Sequence, residues 1–171
     1  MLSNEHNELL TRTGTGTPMG ELIRRYWVPA LLSEEIPEPD CPPVRVRILS
    51  EELVAFRDSR GKIGLLGEHC LHRGTSLFYG RNEEYGLRCI YHGWKYDVDG
   101  NVLDTPAEPA GSDFKTRLKH TAYPTAEANR FRVSGTEGEN AAIPPLRMGA
   151  VTEGADLRDQ GSVGVQLSAG A

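Results

Sequence analysis

Two hydrophobic periods divide the first 125 residues of the chain. Between 18 and 27, Met19, Leu22, Ile23, Tyr26 and Trp27 recur at three- and four-residue spacing, which predicts one apolar helix face. Thr17 stands before Pro18, and proline is favoured at the first helical position. Pro29 is expected to end that helix. The stretch Ile36-Pro37-Glu38-Pro39-Asp40-Cys41-Pro42-Pro43 reads as an extended linker. Beyond it the period drops to two: Val44, Val46 and Ile48 alternate with Arg45 and Arg47, as in a half-buried strand. Leu53-Val54-Ala55-Phe56-Arg57 and Ile63-Gly64-Leu65-Leu66 flank Asp58-Ser59-Arg60-Gly61, which predicts a hairpin. Trp94-Lys95-Tyr96-Asp97 and Asn101-Val102-Leu103 flank Val98-Asp99-Gly100, and Asp-Gly between apolar runs is a strong hairpin signal. Residues from about 37 to 125 therefore predict a small all-β unit of short antiparallel strands.

Composition sharpens the boundaries. A chain of 171 residues is long enough for one domain with appendages. All 12 aromatic residues lie at or before Phe131, and no lysine follows it. Aromatics dominate core burial, so residues 127–171 are expected to be weakly structured, or at most a short packing arm. The expected division is 1–36 as an N-terminal helical segment, 37–126 as the β domain and 127–171 as a low-order tail. A net charge of -5 argues against a nucleic-acid partner and against a polybasic membrane anchor. No run approaches the length of a membrane-spanning helix. The first residues lack the pattern of a signal peptide, and three cysteines are too few for a disulfide scaffold. A cytoplasmic location is the expectation.

Two ligand-like pairs sit in the β unit: Cys70-Leu71-His72 and Cys89-Ile90-Tyr91-His92. Each pair offers one thiolate and one imidazole, and each is followed by glycine within two residues, Gly74 and Gly93. Two Cys and two His make a zinc site in principle, but zinc spacing usually pairs Cys with Cys and His with His. A [2Fe–2S] cluster with two thiolates on one iron and two imidazoles on the other fits the arrangement naturally.

The residues around these pairs make the resemblance specific. Cys70-Leu71-His72-Arg73-Gly74 and Cys89-Ile90-Tyr91-His92-Gly93-Trp94-Lys95-Tyr96, with Gly100 beyond, resemble the two halves of the Rieske signature, C-x-H-R-G and C-x-x-H-G-W-x-[FY]-x-x-x-G. Leu71 stands where many relatives carry proline. The Gly14-Thr15-Gly16-Thr17-Pro18-Met19-Gly20 opening, the Arg24-Arg25-Tyr26-Trp27-Val28-Pro29 block, the Asp97–Asn101 turn and Ala122-Tyr123-Pro124 are similar to the N-terminal part of phthalate-type aromatic-ring oxygenases. The resemblance covers roughly residues 1–126. It implies a mainly β, Rieske-type antiparallel β-sandwich with two cluster-binding loops and a short N-terminal helix. It also implies Cys70, His72, Cys89 and His92 as ligands of a [2Fe–2S] cluster, and one-electron transfer as the electron-input domain of a ring-hydroxylating dioxygenase. The implied partners are a reductase or ferredoxin donor and same-family subunits, trimeric in relatives. The implied substrate class of a complete homologue is aromatic acids.

Mononuclear Fe(II), held by two His and one carboxylate, is expected only in full-length relatives. The five histidines here are His6, His69, His72, His92 and His120, so that set is expected to be absent. A truncated product with an altered reading frame is one expectation for the tail. A free-standing Rieske carrier and a structural zinc module are the competing readings. A potential that varies with pH is expected from the outward-facing imidazoles.

Neighbouring residues carry lesser expectations. Arg73 and Gly74 shape the first loop, or Arg73 is a plain surface charge. Tyr91, Trp94 and Tyr96 either shield the cluster and donate to its sulfurs, or are ordinary core aromatics. His69 is expected not to be a ligand, His6 and His120 to lie at the surface, and Cys41 to be a spare thiol. Arg73, Arg81, Arg88 and Lys95 would form a basic collar, either steering an acidic donor or simply solvated.

Overall fold

A computed structural model describes residues 2–109, 111–128, 131–133 and 163–165. Ser3 opens α1 (Asn4–Thr11), its Oγ accepting the His6 N–H at 3.2 Å and so satisfying a donor that every helix start leaves free. The hydrophobic pattern does not announce α1, because none of its residues is buried. Thr17 caps α2 (Pro18–Ile23) in the same way, through the Gly20 N–H at 3.2 Å.

The second helix is shorter than the periodicity predicts. It ends at Ile23, and Leu22 and Tyr26 of the expected stripe are exposed, while Met19, Ile23 and Trp27 are half-buried. Gly20 is instead the buried point of contact. The expected stop at Pro29 is also displaced. Proline disfavours helical backbone at the residue before it, and Val28 accordingly begins β1 (Val28–Leu32), with Pro29 at a register shift. Buried Arg24 closes α2 by pairing with Glu51 at 2.6 Å.

β2 (Val44–Ile48), β3 (Glu51–Arg57) and β4 (Ile63–Gly67) form one antiparallel sheet in that order. The hairpin predicted at 58–61 is present, and the fully buried Asp58 carboxylate accepts the N–H groups of Arg60 and Lys62 at 2.9 and 2.8 Å. The unbroken apolar run of β3 has a simple cause: both its faces are covered. Leu53 and Ala55 join one core with Ile36, Cys41, Ile48 and Leu65. Val54 and Phe56 join a second with Leu66, Leu87, Tyr96, Cys70 and Cys89. Burying a side chain the size of Phe56 stabilises the fold by roughly 1.5–3 kcal/mol. The 36–43 stretch is therefore more than a linker, since Ile36 is fully buried and the Asp40 N–H bonds the Arg57 carbonyl at 2.9 Å.

β5 (Arg81–Glu83), β6 (Gly86–Arg88), β7 (Lys95–Tyr96) and β8 (Val102–Asp104) make a second antiparallel sheet in chain order. The predicted Asp-Gly hairpin joins its last two strands, with the Asp97 carboxylate accepting the Asp99 and Asn101 N–H groups at 3.0 and 2.8 Å. Side chains of both sheets share the second core, so the architecture is mainly β with packed antiparallel sheets, as predicted. β9 (Thr125–Ala128), β10 (Phe131–Val133) and β11 (Val163–Val165) follow. β10 and β11 each pair antiparallel with both β1 and β9. The expectation of a low-order tail over 127–171 falls largely outside the described residues; the described parts of that span are strand.

Candidate metal centre

The β4–β5 connection carries Cys70 and His72, and the β6–β7 connection carries Cys89 and His92. Both adopt one backbone solution. The Cys70 N–H donates to the Thr75 carbonyl at 2.9 Å and the Gly74 N–H to the Cys70 carbonyl at 2.8 Å. The Cys89 N–H donates to the Trp94 carbonyl at 2.8 Å and the Gly93 N–H to the Cys89 carbonyl at 3.1 Å. Gly74 and Gly93 both have left-handed backbone, with φ of 69° and 75°. A side chain at such a position costs about 1–2 kcal/mol. The glycine after each histidine is thus a requirement of the loop.

The four predicted ligand residues come together as two pairs, thiol beside thiol and imidazole beside imidazole. Both cysteines are 3% exposed, reduced, and part of the second core. His72 and His92 are half-buried, their ring centroids 4.5 Å apart. Burial pushes the Cys89 thiol above its ordinary value, the N–H groups of Tyr91 and His92 pull it down, and the adjoining Cys70 sulfur pushes it up again. Desolvation, then the charges of His72 and Arg73, hold His92 below its ordinary value and so favour the neutral imidazole that binds metals. The buried Nδ1 of His72 has no hydrogen-bond partner. Such an orphan is costly unless something binds it. Among the described residues no three Cys, His, Asp or Glu side chains converge on a single metal position. Paired thiols, paired imidazoles and an unpartnered imidazole nitrogen suit a two-iron group that takes its ligands in pairs, and on these grounds the residues fit a [2Fe–2S] cluster.

The aromatic residues divide by role. The Tyr96 hydroxyl lies 3.0 Å from Cys70 Sγ and accepts the Leu71 N–H at 3.2 Å. Burial, and then its bond to Cys70, hold the Tyr96 phenol well above its ordinary value, which keeps the O–H on as a donor to sulfur. Trp94 stacks on His72 with centroids 4.9 Å apart and planes 3° from parallel, which covers that ring from one side. Tyr91 packs on His92 but is itself exposed. His120 corrects the surface expectation. It is 4% exposed, its ring lies 4.7 Å from that of Tyr96, and its Nε2–H donates to the Gly67 carbonyl at 2.9 Å. No local signal in the sequence points to this, because the contact joins residues 53 positions apart.

The basic collar also needs correction. Lys95 is 8% exposed and pairs with Glu84 at 3.0 Å. Arg88 pairs with Glu83 at 2.7 Å and Asp104 at 2.8 Å, and Arg81 with Glu83 at 3.2 Å. Arg88 holds the Glu83 and Asp104 carboxyls below their ordinary values. Sequence proximity put these cations on a rim, whereas the sheet turns most of their charge inward onto carboxylates. Arg73 is exposed. His69 bonds backbone and a carboxylate, His6 is exposed, and Cys41 is buried in the first core, away from the loops.

Comparison with known proteins gives the same frame. The family model of the Rieske [2Fe–2S] domain matches residues 26–124. The phthalate 4,5-dioxygenase oxygenase subunit of Pseudomonas putida is 52% identical over 144 residues, covering 84% of this chain and 33% of that protein. The 3-chlorobenzoate-3,4-dioxygenase oxygenase subunit of Comamonas testosteroni is 48% identical over 127 residues, covering 74% of this chain and 29% of that protein. The chain thus spans about a third of the length of these curated relatives. Among solved structures, dicamba monooxygenase bound to dicamba superposes with a TM-score of 0.62 at 25% identity, over 72% of this chain and 37% of that one. The oxygenase–ferredoxin complex of carbazole 1,9a-dioxygenase matches with a TM-score of 0.59 at 27% identity, over 87% and 30%.

Proposed function

Because this chain belongs to the Rieske [2Fe–2S] domain family, we propose that Cys70, Cys89, His72 and His92 hold its cluster and that it serves as the electron-input domain of a ring-hydroxylating oxygenase. The observation that carries this reading is that two loops of identical backbone pattern bring their buried thiols together as one pair and their imidazoles together as another. When bound, the cluster accepts and passes one electron at a time, at a potential that imidazole ligation raises to roughly -150 to +300 mV. The residues of the chain do the rest. The thiols, buried in the second core, hold the sulfur end away from water. Tyr96 donates to Cys70 Sγ and orients the Leu71 amide. Trp94 keeps the His72 ring in one plane.

The electron donor is a reductase or ferredoxin, in keeping with the ferredoxin found on the carbazole oxygenase. The acceptor is a catalytic iron in same-family subunits, and the substrates of the complete assembly are aromatic acids, as the names of the phthalate and chlorobenzoate relatives suggest. The cytoplasm is the proposed location. Cys41, which lies outside the cluster loops, is a free thiol, which suits a reducing compartment, and no described helix is long and apolar enough to cross a membrane.

Anaerobic purification with iron, sulfide and zinc counts, and EPR before and after dithionite, tests this reading. Two irons and two sulfides per chain with the reduced signal of a mixed Cys/His cluster are expected. One zinc without sulfide would sink it. C70S and C89S should each lose most of the iron and sulfide while keeping the β-sheet circular dichroism of the parent chain.

A further inference from the structure

The residue immediately before each cysteine makes the same bond. His69 Nδ1 lies 3.1 Å from the Gly74 carbonyl, which it bonds in the tautomer that carries its proton there, and Arg88 Nη1–H donates to the Gly93 carbonyl at 2.8 Å. In both loops the acceptor belongs to the glycine whose own N–H closes the loop on the cysteine carbonyl. In both loops a carboxylate on a neighbouring strand lies behind that side chain. His69 Nε2 lies 3.3 Å from Glu52 on β3, and Arg88 Nε donates to Glu83 on β5 at 2.7 Å. Arg88 Nη1 also reaches Asp104 on β8 at 2.8 Å. One position is His and the other Arg, so the equivalence lies in the geometry and not in a shared residue type.

We propose that His69 and Arg88 are a matched pair of positioning residues: each latches its loop by the terminal glycine carbonyl and so fixes His72 or His92. This rests on the reading that the loops hold the cluster. The physical argument is one of lever arms. Gly74 and Gly93 have left-handed backbone, and each carbonyl bonded by a side chain fixes the plane of the peptide that leaves the loop. His72 sits two residues before its glycine and His92 one residue before. A peptide plane free to rotate at the glycine passes its motion directly to those imidazoles. The two latches differ in firmness. The Arg88 side chain is 14% exposed with carboxylates on two strands, and the His69 side chain is 58% exposed with one. The first loop is therefore the one that a single substitution loosens without disturbing the core.

The test uses the full chain, reconstituted with iron and sulfide, in wild-type, H69A and H69Q forms. Removal of iron by a chelator should be about fivefold faster in H69A, the ratio set by one hydrogen bond of average net strength. The reduced EPR signal should broaden as the His72 position spreads. H69Q keeps an N–H donor and should restore both readouts. The cluster-free chain should stay folded in all three, with the thermal midpoint of H69A lowered only by the few degrees that one hydrogen bond is worth. Equal release rates and linewidths in H69A and wild type would overturn the latch. Amide hydrogen exchange at Gly74, whose N–H donates to the Cys70 carbonyl, gives an independent arm in the cluster-free chain. Faster exchange in H69A supports the latch, and unchanged exchange overturns it, whatever the loops bind. If wild type takes up no cluster, the electron-transfer reading fails while this arm still decides the latch. R88M should speed release as well, and an unchanged rate there would limit the proposal to nothing more than a structural ion pair.

Discussion

Tyr96 is where one atom has the clearest expected consequence. Its hydroxyl lies 3.0 Å from Cys70 Sγ inside the core and is the donor once that sulfur is a thiolate. A donor to sulfur stabilises the more negative, reduced form of a cluster more than the oxidised form. Y96F should therefore lower the midpoint potential, by on the order of 60 mV if the bond discriminates between the two forms by about 1.4 kcal/mol. Protein-film voltammetry of both forms measures it; an unchanged potential would remove Tyr96 from the electronics of the site and leave it a core residue. The sequence alone left Tyr96 between donor and plain core aromatic, because a two-residue strand such as β7 gives no periodicity to say which way its side chains point. His120 went further astray, since burial behind Tyr96 depends on a contact that no local pattern encodes.

Among the connections, the glycines decide most. Gly100 in the Asp97–Asn101 turn has φ of 81°, and a Cβ there would lie 2.3 Å from the His120 carbonyl oxygen. G100A should destabilise the chain by at least about 1–2 kcal/mol from backbone strain alone, with the clash adding to it. Urea unfolding measures the loss, and a midpoint equal to wild type would show that the turn relaxes freely. Because the same clash displaces the segment that carries His120, G100A should also disturb the packing behind Tyr96. Hairpins of this kind were legible in the sequence, as Asp-Gly between apolar runs has few other uses. The end of α2 was not. Its apolar stripe runs on past Ile23, but a proline two positions inside the next strand and a buried arginine at the helix end outweigh periodicity.

Across the whole molecule, Glu68 ties the first sheet to the first loop. It pairs with Arg45 of β2 at 2.7 Å and accepts from Ser76 beyond the loop. Burial alone would push its carboxyl up, yet Ser76 and Arg45 together hold it below the ordinary value of 4.5. A carboxyl depressed in the fold stabilises it above the unfolded value, and that contribution is lost as pH falls through the folded one. E68Q should thus unfold at lower urea than wild type at neutral pH, with the gap closing toward pH 3, about one unit below the unfolded range. A gap that stays constant over that span would assign the effect to packing instead of charge. The sequence by itself determined the paired Cys/His motif, the family, the β class and both hairpins, because each is written in residues close together along the chain. Only the tertiary structure decided which face of β3 meets the loops, that Arg88 and Lys95 turn inward, and that His69 and Arg88 make equivalent bonds. Those outcomes depend on which strands lie side by side, and side-chain partners brought from distant strands leave no periodic trace in sequence.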